Sequence, residues 1–206
     1  MSKQERIKED ILYKALKNIP FDGWSDNVLE GAVENLGYEK GYAYVLFPQG
    51  VTDFVNYFSD YVDSLMLDKI SAMPNDMRTN EKIISAIMFR INEYSKNKEA
   101  IRKLLSFYSL PLNCHQGIGN SAKTVDKIWY AVGDKATDFN YYTKRFLLYL
   151  VYSNTILYWL SDTSRNHIDT ENFLRRRIND VMKVGKIKKG INEKVSKLSK
   201  YFNLSK

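Results

Sequence analysis

The chain of 206 residues has one cysteine, two histidines and four prolines, and these scarcities exclude several classes of protein. Cys114 alone cannot form a disulfide framework, which fits a reducing compartment. His115 and His167 do not stand at zinc-site spacing, and no Glu-x-x-His occurs, so zinc-hydrolase and carboxylate-bridged di-iron sites are not expected. GxGxxG and GxxxxGK[ST] are absent as well. The segment NCHQGIGN is expected to be a turn that leads into a helix ending near Ala131, with Cys114 partly buried and His115 in the loop. We therefore expect no metal, no cofactor and no nucleotide.

Long apolar runs are missing too. No window of about eighteen uncharged apolar residues occurs, so the sequence predicts no helix that spans a membrane. The first residues, MSKQERIKEDILYKAL, have no apolar signal core, and their acidic residues argue against a transit peptide. We expect a protein that stays inside the cell.

What the sequence does have is helical periodicity. Apolar residues recur at 3.6-residue spacing over 51–70 and 79–94, and the four prolines fall between such segments. Residues 137–160 are apolar or aromatic on nearly every side, which is typical of a central or interface helix. No convincing period-2 strand occurs. The sequence predicts an all-α bundle of about nine helices plus an amphipathic helix at the C-terminus.

The N-terminal part has the layout of a helix-turn-helix. Helices are expected over 3–18 and 25–36, followed by a short segment and the long helix from about 51, as in TetR-type regulators. Between Pro20 and Asp60 there is one basic residue, Lys40, and a DNA-binding surface must neutralise phosphates. The same stretch holds seven acidic residues, Asp22, Asp26, Glu30, Glu34, Glu39, Asp53 and Asp60. We expect a degenerate helix-turn-helix that binds no nucleic acid.

The stretch WYAVGDKATDFNYYTKR (129–145) holds the polar residues of a candidate active site. Asp134 and Asp138 with Lys135 are acid-base candidates, but no histidine lies near them in sequence. The alternative is that they flank the turn between two helices, with Gly133 after the first helix and Thr137 as N-cap of the second. Capping explains these residues without chemistry, and we expect no catalysis. Trp129 and Tyr130 remain open between core packing and an exposed binding anchor.

The C-terminal tail carries the whole net charge of +7, because residues 183–206 hold eight lysines and one glutamate. Its apolar residues are spaced as one stripe of a helix, with lysines on the other faces, which is typical of a helix lying in a membrane interface. Docking on the protein's own domain or on a dimer partner is the alternative. The stripe is Ile187, Ile191, Val195, Leu198 and Phe202, and the lysines are Lys188, Lys189, Lys194, Lys197 and Lys200.

Three segments resemble a known family: GWSDNVLEGAVENLGY, the run LPLNCHQGIGNSAKTVDKIWYAVGDKATDFNYYTKR, and ENFLRRRINDVMKVG. They are similar to the lipid-binding accessory proteins of ubiquinone biosynthesis in mitochondria and alphaproteobacteria. The resemblance covers the chain from about residue 8 to the tail. It implies a TetR-like domain over 1–183, with a degenerate helix-turn-helix over 3–49 and ligand and dimerisation helices over 50–183. Residues 184–206 are then the membrane-binding helix.

The resemblance also implies a function. Such a protein has no catalysis of its own, is usually dimeric, and binds isoprenoid quinone intermediates or phospholipid in an apolar pocket. It presents the intermediate to the di-iron hydroxylase of the demethoxyquinone. Asp126, Trp129 and Tyr130 match the hydroxylase-binding surface. The expected pocket lining is Phe139, Tyr142, Phe146, Leu150 and Leu157.

Two further expectations complete this interpretation. The composition, rich in Lys, Ile, Asn and Tyr, suggests a bacterial member at the cytoplasmic face of the inner membrane. The alternative function is a ligand-responsive transcriptional repressor with the same fold, which would require a basic recognition helix.

Overall fold

A computed structural model describes the backbone of residues 2–134 and 139–181, and the side chains of 2–134 and 141–181. All regular structure in these ranges is helical, which confirms the predicted all-α class. The chain forms two compact units, residues 1–137 and 138–206.

The first unit contains eight helices within the described ranges. They are α1 (Lys3–Ala15), α2 (Ile19–Asp22), α3 (Asp26–Glu34), α4 (Tyr42–Leu46), α5 (Val51–Ser71), α6 (Thr79–Ser95), α7 (Lys98–Ser109) and α8 (Cys114–Ala131). The described part of the second unit contains α9 (Phe139–Ser161), a 3₁₀ turn (Arg165–His167) and the helical residues 168–181, named α10.

Local polar residues set several helix starts. The hydroxyl of Ser2 accepts from the backbone N–H of Glu5, and that of Ser25 accepts from Val28, which are N-caps of α1 and α3. Ahead of α5, the Asp26 carboxylate accepts from the N–H of Val51 at 2.7 Å. Gly50 has φ +58°, and an added Cβ would lie 2.2 Å from Asp26 Oδ1, so this junction between α3 and α5 requires glycine.

Trp24 organises the core of the first unit. Its ring lies between Phe54 and Phe58 of α5, with ring centroids 5.5 and 5.2 Å apart. Its indole N–H donates to the carbonyl oxygen of Ala100 at 3.0 Å, so the same side chain ties the turn before α3 to α7. A buried indole with its polar atom satisfied packs without a desolvation cost.

Two predicted boundaries were wrong. α1 ends at Ala15 rather than residue 18, because the chain turns into the separate helix α2, in which Pro20 occupies the first turn. The segment NCHQGIGN, expected to be a turn, forms the start of α8, and Cys114 is exposed rather than partly buried. Gly117 lies inside that helix, next to the ring of Tyr108 in α7. A Cβ at this position would lie 2.7 Å from the ring, so the absence of a side chain permits α7 and α8 to approach closely.

Asp162 joins the two main helices of the second unit. Its carboxylate accepts from the N–H of Ser164 at 2.7 Å, and from the N–H and hydroxyl of Thr170 in α10. Burial alone raises the pKa of this carboxyl, but the hydrogen bonds outweigh burial and lower the pKa to about 2. Tyr158 of α9 and Phe173 of α10 stack with ring centroids 4.5 Å apart.

Several expectations fall outside the described residues. They include the N-cap Thr137, Lys135, Asp138, the side chain of Phe139, and the tail stripe with its lysines. The predicted boundary at 183/184 stays a prediction for the same reason, while the two compact units divide the chain at 137/138. Within the ranges the structure describes, no helix combines the length and hydropathy needed to cross a bilayer.

Candidate functional site

The C-terminal half of α8 carries the three residues that the sequence singles out for partner binding. Tyr130 is 79% exposed, and Asp126 and Trp129 are partly exposed. The helix ends directly after them: the N–H of Gly133 donates to the carbonyl of Tyr130, and that of Asp134 donates to the carbonyl of Trp129. Gly133 has φ +86°, as the predicted glycine stop requires. We name Asp126, Trp129 and Tyr130 the aromatic patch.

The opposite face of α8 explains why the aromatic patch points outward. That face is anchored by polar side chains at three- and four-residue spacing, which we name the polar seam: Gln116, Asn120, Thr124 and Lys127. The amide of Gln116 donates to the carbonyl of Thr52 at 2.7 Å and to Asn56 at 2.9 Å, both on α5. Bonds along the length of a helix pair fix register, since a shift of one turn would leave buried polar groups without partners.

A buried ion cluster forms the far end of the polar seam. Asp63 of α5 and Arg90 of α6 are each 1% exposed and pair directly, and Arg90 also donates to the hydroxyl of Tyr94. The hydroxyl of Thr124 donates to Asp63 at 3.0 Å, and the ammonium of Lys127 contacts Asp63 at 2.9 Å.

Lys127 extends this cluster to the surface by a second contact, at 2.6 Å from Asp60. Burial lowers the pKa of Lys127, but the hydrogen bonds to Asp60 and Asp63 outweigh burial, so the pKa is raised overall. Lys127, held in its charged form between two carboxylates, joins α8 to α5, and the pair of Asp63 with Arg90 extends the link to α6. These contacts position the helix that carries the aromatic patch.

Asn120 links the polar seam to α7. Asn120 donates from its amide to the hydroxyl of Tyr108 at 3.0 Å. Burial raises the pKa of Tyr108 to about 12, although the bond from Asn120 acts in the opposite direction. The polar seam and the ion cluster were not predicted. Asp63 and Arg90 interrupt apolar stripes in the sequence, but such an interruption does not identify a buried pair.

The expected pocket residues lie along one exposed face of α9. Tyr142, Phe146, Leu150 and Leu157 are between 40% and 70% exposed, and we name them the α9 stripe. The opposite face of the same helix is buried, at Leu148, Val151, Tyr152, Thr155, Ile156 and Trp159. An exposed face does not enclose a ligand by itself. These side chains would line a closed pocket only after another surface covers them.

The helix-turn-helix surface has one basic residue between Pro20 and Asp60, namely Lys40. α4, at the place of a recognition helix, is YAYVL and carries no charge. The hydroxyl of Tyr44 donates to Glu30 of α3 at 2.6 Å, and this bond raises the pKa of Tyr44 to about 12. Lys40 is 3.6 Å from Glu34, so the basic residue of this stretch faces an acidic partner. The absence of DNA binding by this segment stays a prediction, which rests on its acidic composition.

Within residues 2–134 and 139–181, no three side chains of His, Cys, Asp or Glu come together as possible metal ligands. Cys114 and His115 lie exposed in the first turn of α8.

Residues 114–185 match the family model described as COQ9, and this range includes α8 and α9. The chain is 29% identical over 196 residues to the "Probable ubiquinone biosynthesis protein coq9, mitochondrial" of Dictyostelium discoideum, covering 92% of this chain and 64% of that protein. It is 26% identical over 189 residues to the "Ubiquinone biosynthesis protein COQ9, mitochondrial" of Homo sapiens, covering 88% and 59%. The chain thus spans about three fifths of the length of these relatives.

The fold also resembles a solved structure. The crystal structure of a TetR transcriptional regulator from Nitrosomonas europaea aligns with a TM-score of 0.69 over 86% of this chain and 98% of that one. The sequence identity is 16%, so the likeness concerns the fold alone. It confirms the predicted TetR-like bundle.

Proposed function

We propose that this chain, which matches the COQ9 family model over residues 114–185 and is 29% identical over 196 residues to a ubiquinone biosynthesis protein, acts in ubiquinone biosynthesis as a lipid-binding accessory protein without catalysis of its own. It binds an isoprenoid quinone intermediate, or phospholipid in its place, at the membrane surface. It then presents the intermediate to the di-iron hydroxylase that acts on the demethoxyquinone. A polyprenyl chain resists leaving the bilayer, at about 0.8 kcal/mol per methylene, so a soluble hydroxylase pocket gains from such presentation.

The observation that carries this proposal is the exposure of the aromatic patch. A tyrosine that is 79% exposed beside a partly exposed tryptophan has the composition of an interface anchor. The polar seam holds the helix below it in one register, so the patch is organised before a partner arrives. Such preorganisation lowers the entropic cost of association. We propose that the hydroxylase docks here.

The α9 stripe supports the lipid-binding half of the proposal. Its four side chains lie on the exposed face of a helix of 23 residues whose opposite face is buried. They form an exposed apolar surface, and such surfaces often bind a lipid or a protein. We propose that a bound isoprenoid covers part of the stripe and a second copy of the chain covers the rest. The basic tail, with Ile187 to Phe202 as its apolar stripe, would hold the dimer at an anionic membrane surface on the cytoplasmic side.

The docking step is tested by substitution on α8. Tyr130→Ala should weaken binding to the purified hydroxylase from the same genome about 10- to 30-fold, because truncating an aromatic anchor costs about 2 kcal/mol. Ile118→Ala is the matched control, since Ile118 is 56% exposed on the same helix but outside the aromatic patch. Biolayer interferometry gives both affinities. Equal affinities of the two variants would contradict docking at the patch.

The lipid step is tested by native mass spectrometry and lipid extraction of the purified protein. Isoprenoid quinone precursors should co-purify, and a Phe146→Ser substitution in the α9 stripe should reduce their amount severalfold. A protein that carries no lipid, and binds none from vesicles containing the precursor, would refute lipid presentation. In that case the TetR-like repressor becomes the function to examine, by gel shift against DNA upstream of its own gene.

A further inference from the structure

A groove of about 300 Å³ lies on the first compact unit, between α1, α5 and α6. Neither the aromatic patch nor the α9 stripe contributes to it. Its lining is mainly apolar, with side chains from all three helices: Leu12, Leu16, Phe58, Val62, Leu65 and Phe89. Such a concave apolar surface with a few polar groups at its edge is typical of a small-molecule site.

Two tyrosines at the edge of the groove determine whether this edge donates or accepts a hydrogen bond. The hydroxyl of Tyr61 donates to the carboxylate of Glu9 at 2.9 Å, and the hydroxyl oxygens of Tyr13 and Tyr61 are 2.7 Å apart. Each hydroxyl has one proton, so Tyr13 must donate to Tyr61. The oxygen of Tyr13, a residue 52% exposed, therefore keeps lone pairs but has no proton left to give. A ligand at this edge must bring a hydrogen-bond donor.

The cation of the groove lining does not favour an acidic ligand. Lys96 is 2.6 Å from the carboxylate of Glu93, which also lines the groove. This ion pair neutralises the charge that a carboxylate or phosphate head group would need. An uncharged hydroxyl group meets both conditions, since it donates a hydrogen bond and carries no negative charge.

Size decides between a small ligand and a protein segment. The groove has the volume of about ten water molecules, at about 30 Å³ each, which corresponds to a chain of about ten carbons. A stable protein interface involves about 20–30 residues on each partner, whereas eleven residues line this groove. We propose that the groove binds a small amphiphilic alcohol, whose chain of about eight to ten carbons fills the apolar part while its hydroxyl donates to Tyr13.

The head-group chemistry is tested by titrating the full chain with three probes in a calorimeter. 1-Decanol should bind saturably with one molecule per chain, and at least tenfold more tightly than decyl methyl ether, which lacks the donor, or decanoate. Tyr13→Phe should lower the decanol affinity to that of the ether and leave the ether unchanged. Tyr38→Phe, a partly exposed tyrosine outside the groove, is the matched control. Equal affinity for all three probes, or no effect of Tyr13→Phe, would overturn the proposal.

The location is tested with decanol that carries a diazirine, by photolabelling and peptide mass mapping. Label is expected within residues 12–16, 58–65 and 89–97, and Leu65→Trp, which fills the groove, should abolish it. Label on the α9 stripe instead would overturn this site, while the proposed accessory function would stand. If Leu65→Trp does not fold, the Tyr13→Phe titration decides alone.

Discussion

Removing the charge of Arg90 is the sharpest test of how the first unit is held together. Arg90 and Asp63 are each 1% exposed, so Arg90→Met leaves a buried carboxylate that has lost its principal counter-ion. Breaking a buried pair in this way costs about 3–5 kcal/mol. Lys127 and Thr124 still contact Asp63, which places the expected loss near the lower end, at about 3 kcal/mol. That is a large share of the 5–15 kcal/mol of a typical domain.

Urea unfolding followed by circular dichroism at 222 nm measures this loss as a shift of the midpoint. Two controls make the result specific. Arg102→Met removes a pair with Glu99 in which both partners are exposed, and should cost at most about 0.5 kcal/mol. The double variant Asp63→Leu with Arg90→Met removes both buried charges and should recover more than half of the loss. A loss below about 1 kcal/mol for Arg90→Met, or a double variant no better than the single one, would refute the reasoning.

Three further outcomes are expected. Asp162 has a pKa of about 2 in the folded chain, below the value of 3.8 for an ordinary aspartate. Its ionised form therefore stabilises the second unit at pH values above 3.8, and this contribution is lost as the pH falls toward 2. Asp162→Asn should therefore cost about 2 kcal/mol at pH 7 and flatten the acid-unfolding curve below pH 4. Gly119→Ala should stabilise α8 by about 0.5–1 kcal/mol, since nothing lies within 4 Å of an added Cβ. Gly117→Ala should destabilise by about 1–2 kcal/mol against the ring of Tyr108, and paired thermal melts compare the two. Duplex DNA from upstream of its own gene should not shift in a gel at about 200 mM salt, where non-specific binding by the basic tail is weak, and a sequence-specific shift would contradict a helix-turn-helix that binds no DNA.

Periodicity predicted the helix boundaries that are marked by residues next to them in the sequence. α5 begins at Val51 and α8 ends at Ala131, close to the expected positions, because glycines and apolar stripes mark those points in the chain itself. The start of α8 was missed since its cause is tertiary. Gly117 and Gly119 have low helix propensity, so local sequence disfavours a helix here. The close approach of Tyr108, which requires glycine at position 117, is a tertiary contact that neighbouring residues do not reveal.

The candidate surfaces show the same limit. Residues 137–160 are apolar on nearly all sides, so spacing could not tell which face of α9 is buried, and the expected pocket lining lies on the exposed face. Asp63 and Arg90 gave no warning of their pairing, because a charged residue in an apolar stripe usually marks solvent. Their 27 residues of separation are bridged by the antiparallel packing of α5 and α6.

The two faces of α8 depend on each other. A helix whose inner face is apolar can rotate or slide by a fraction of a turn at modest cost, since dispersion contacts are not directional. The inner face of α8 instead makes directed bonds at Gln116, Thr124 and Lys127, and each would lose its partner on rotation. Because α8 cannot rotate about its axis, Trp129 and Tyr130 on its outer face keep one orientation. A polar seam that fixes the register of α8 in this way is what the proposed docking of the hydroxylase at the aromatic patch requires.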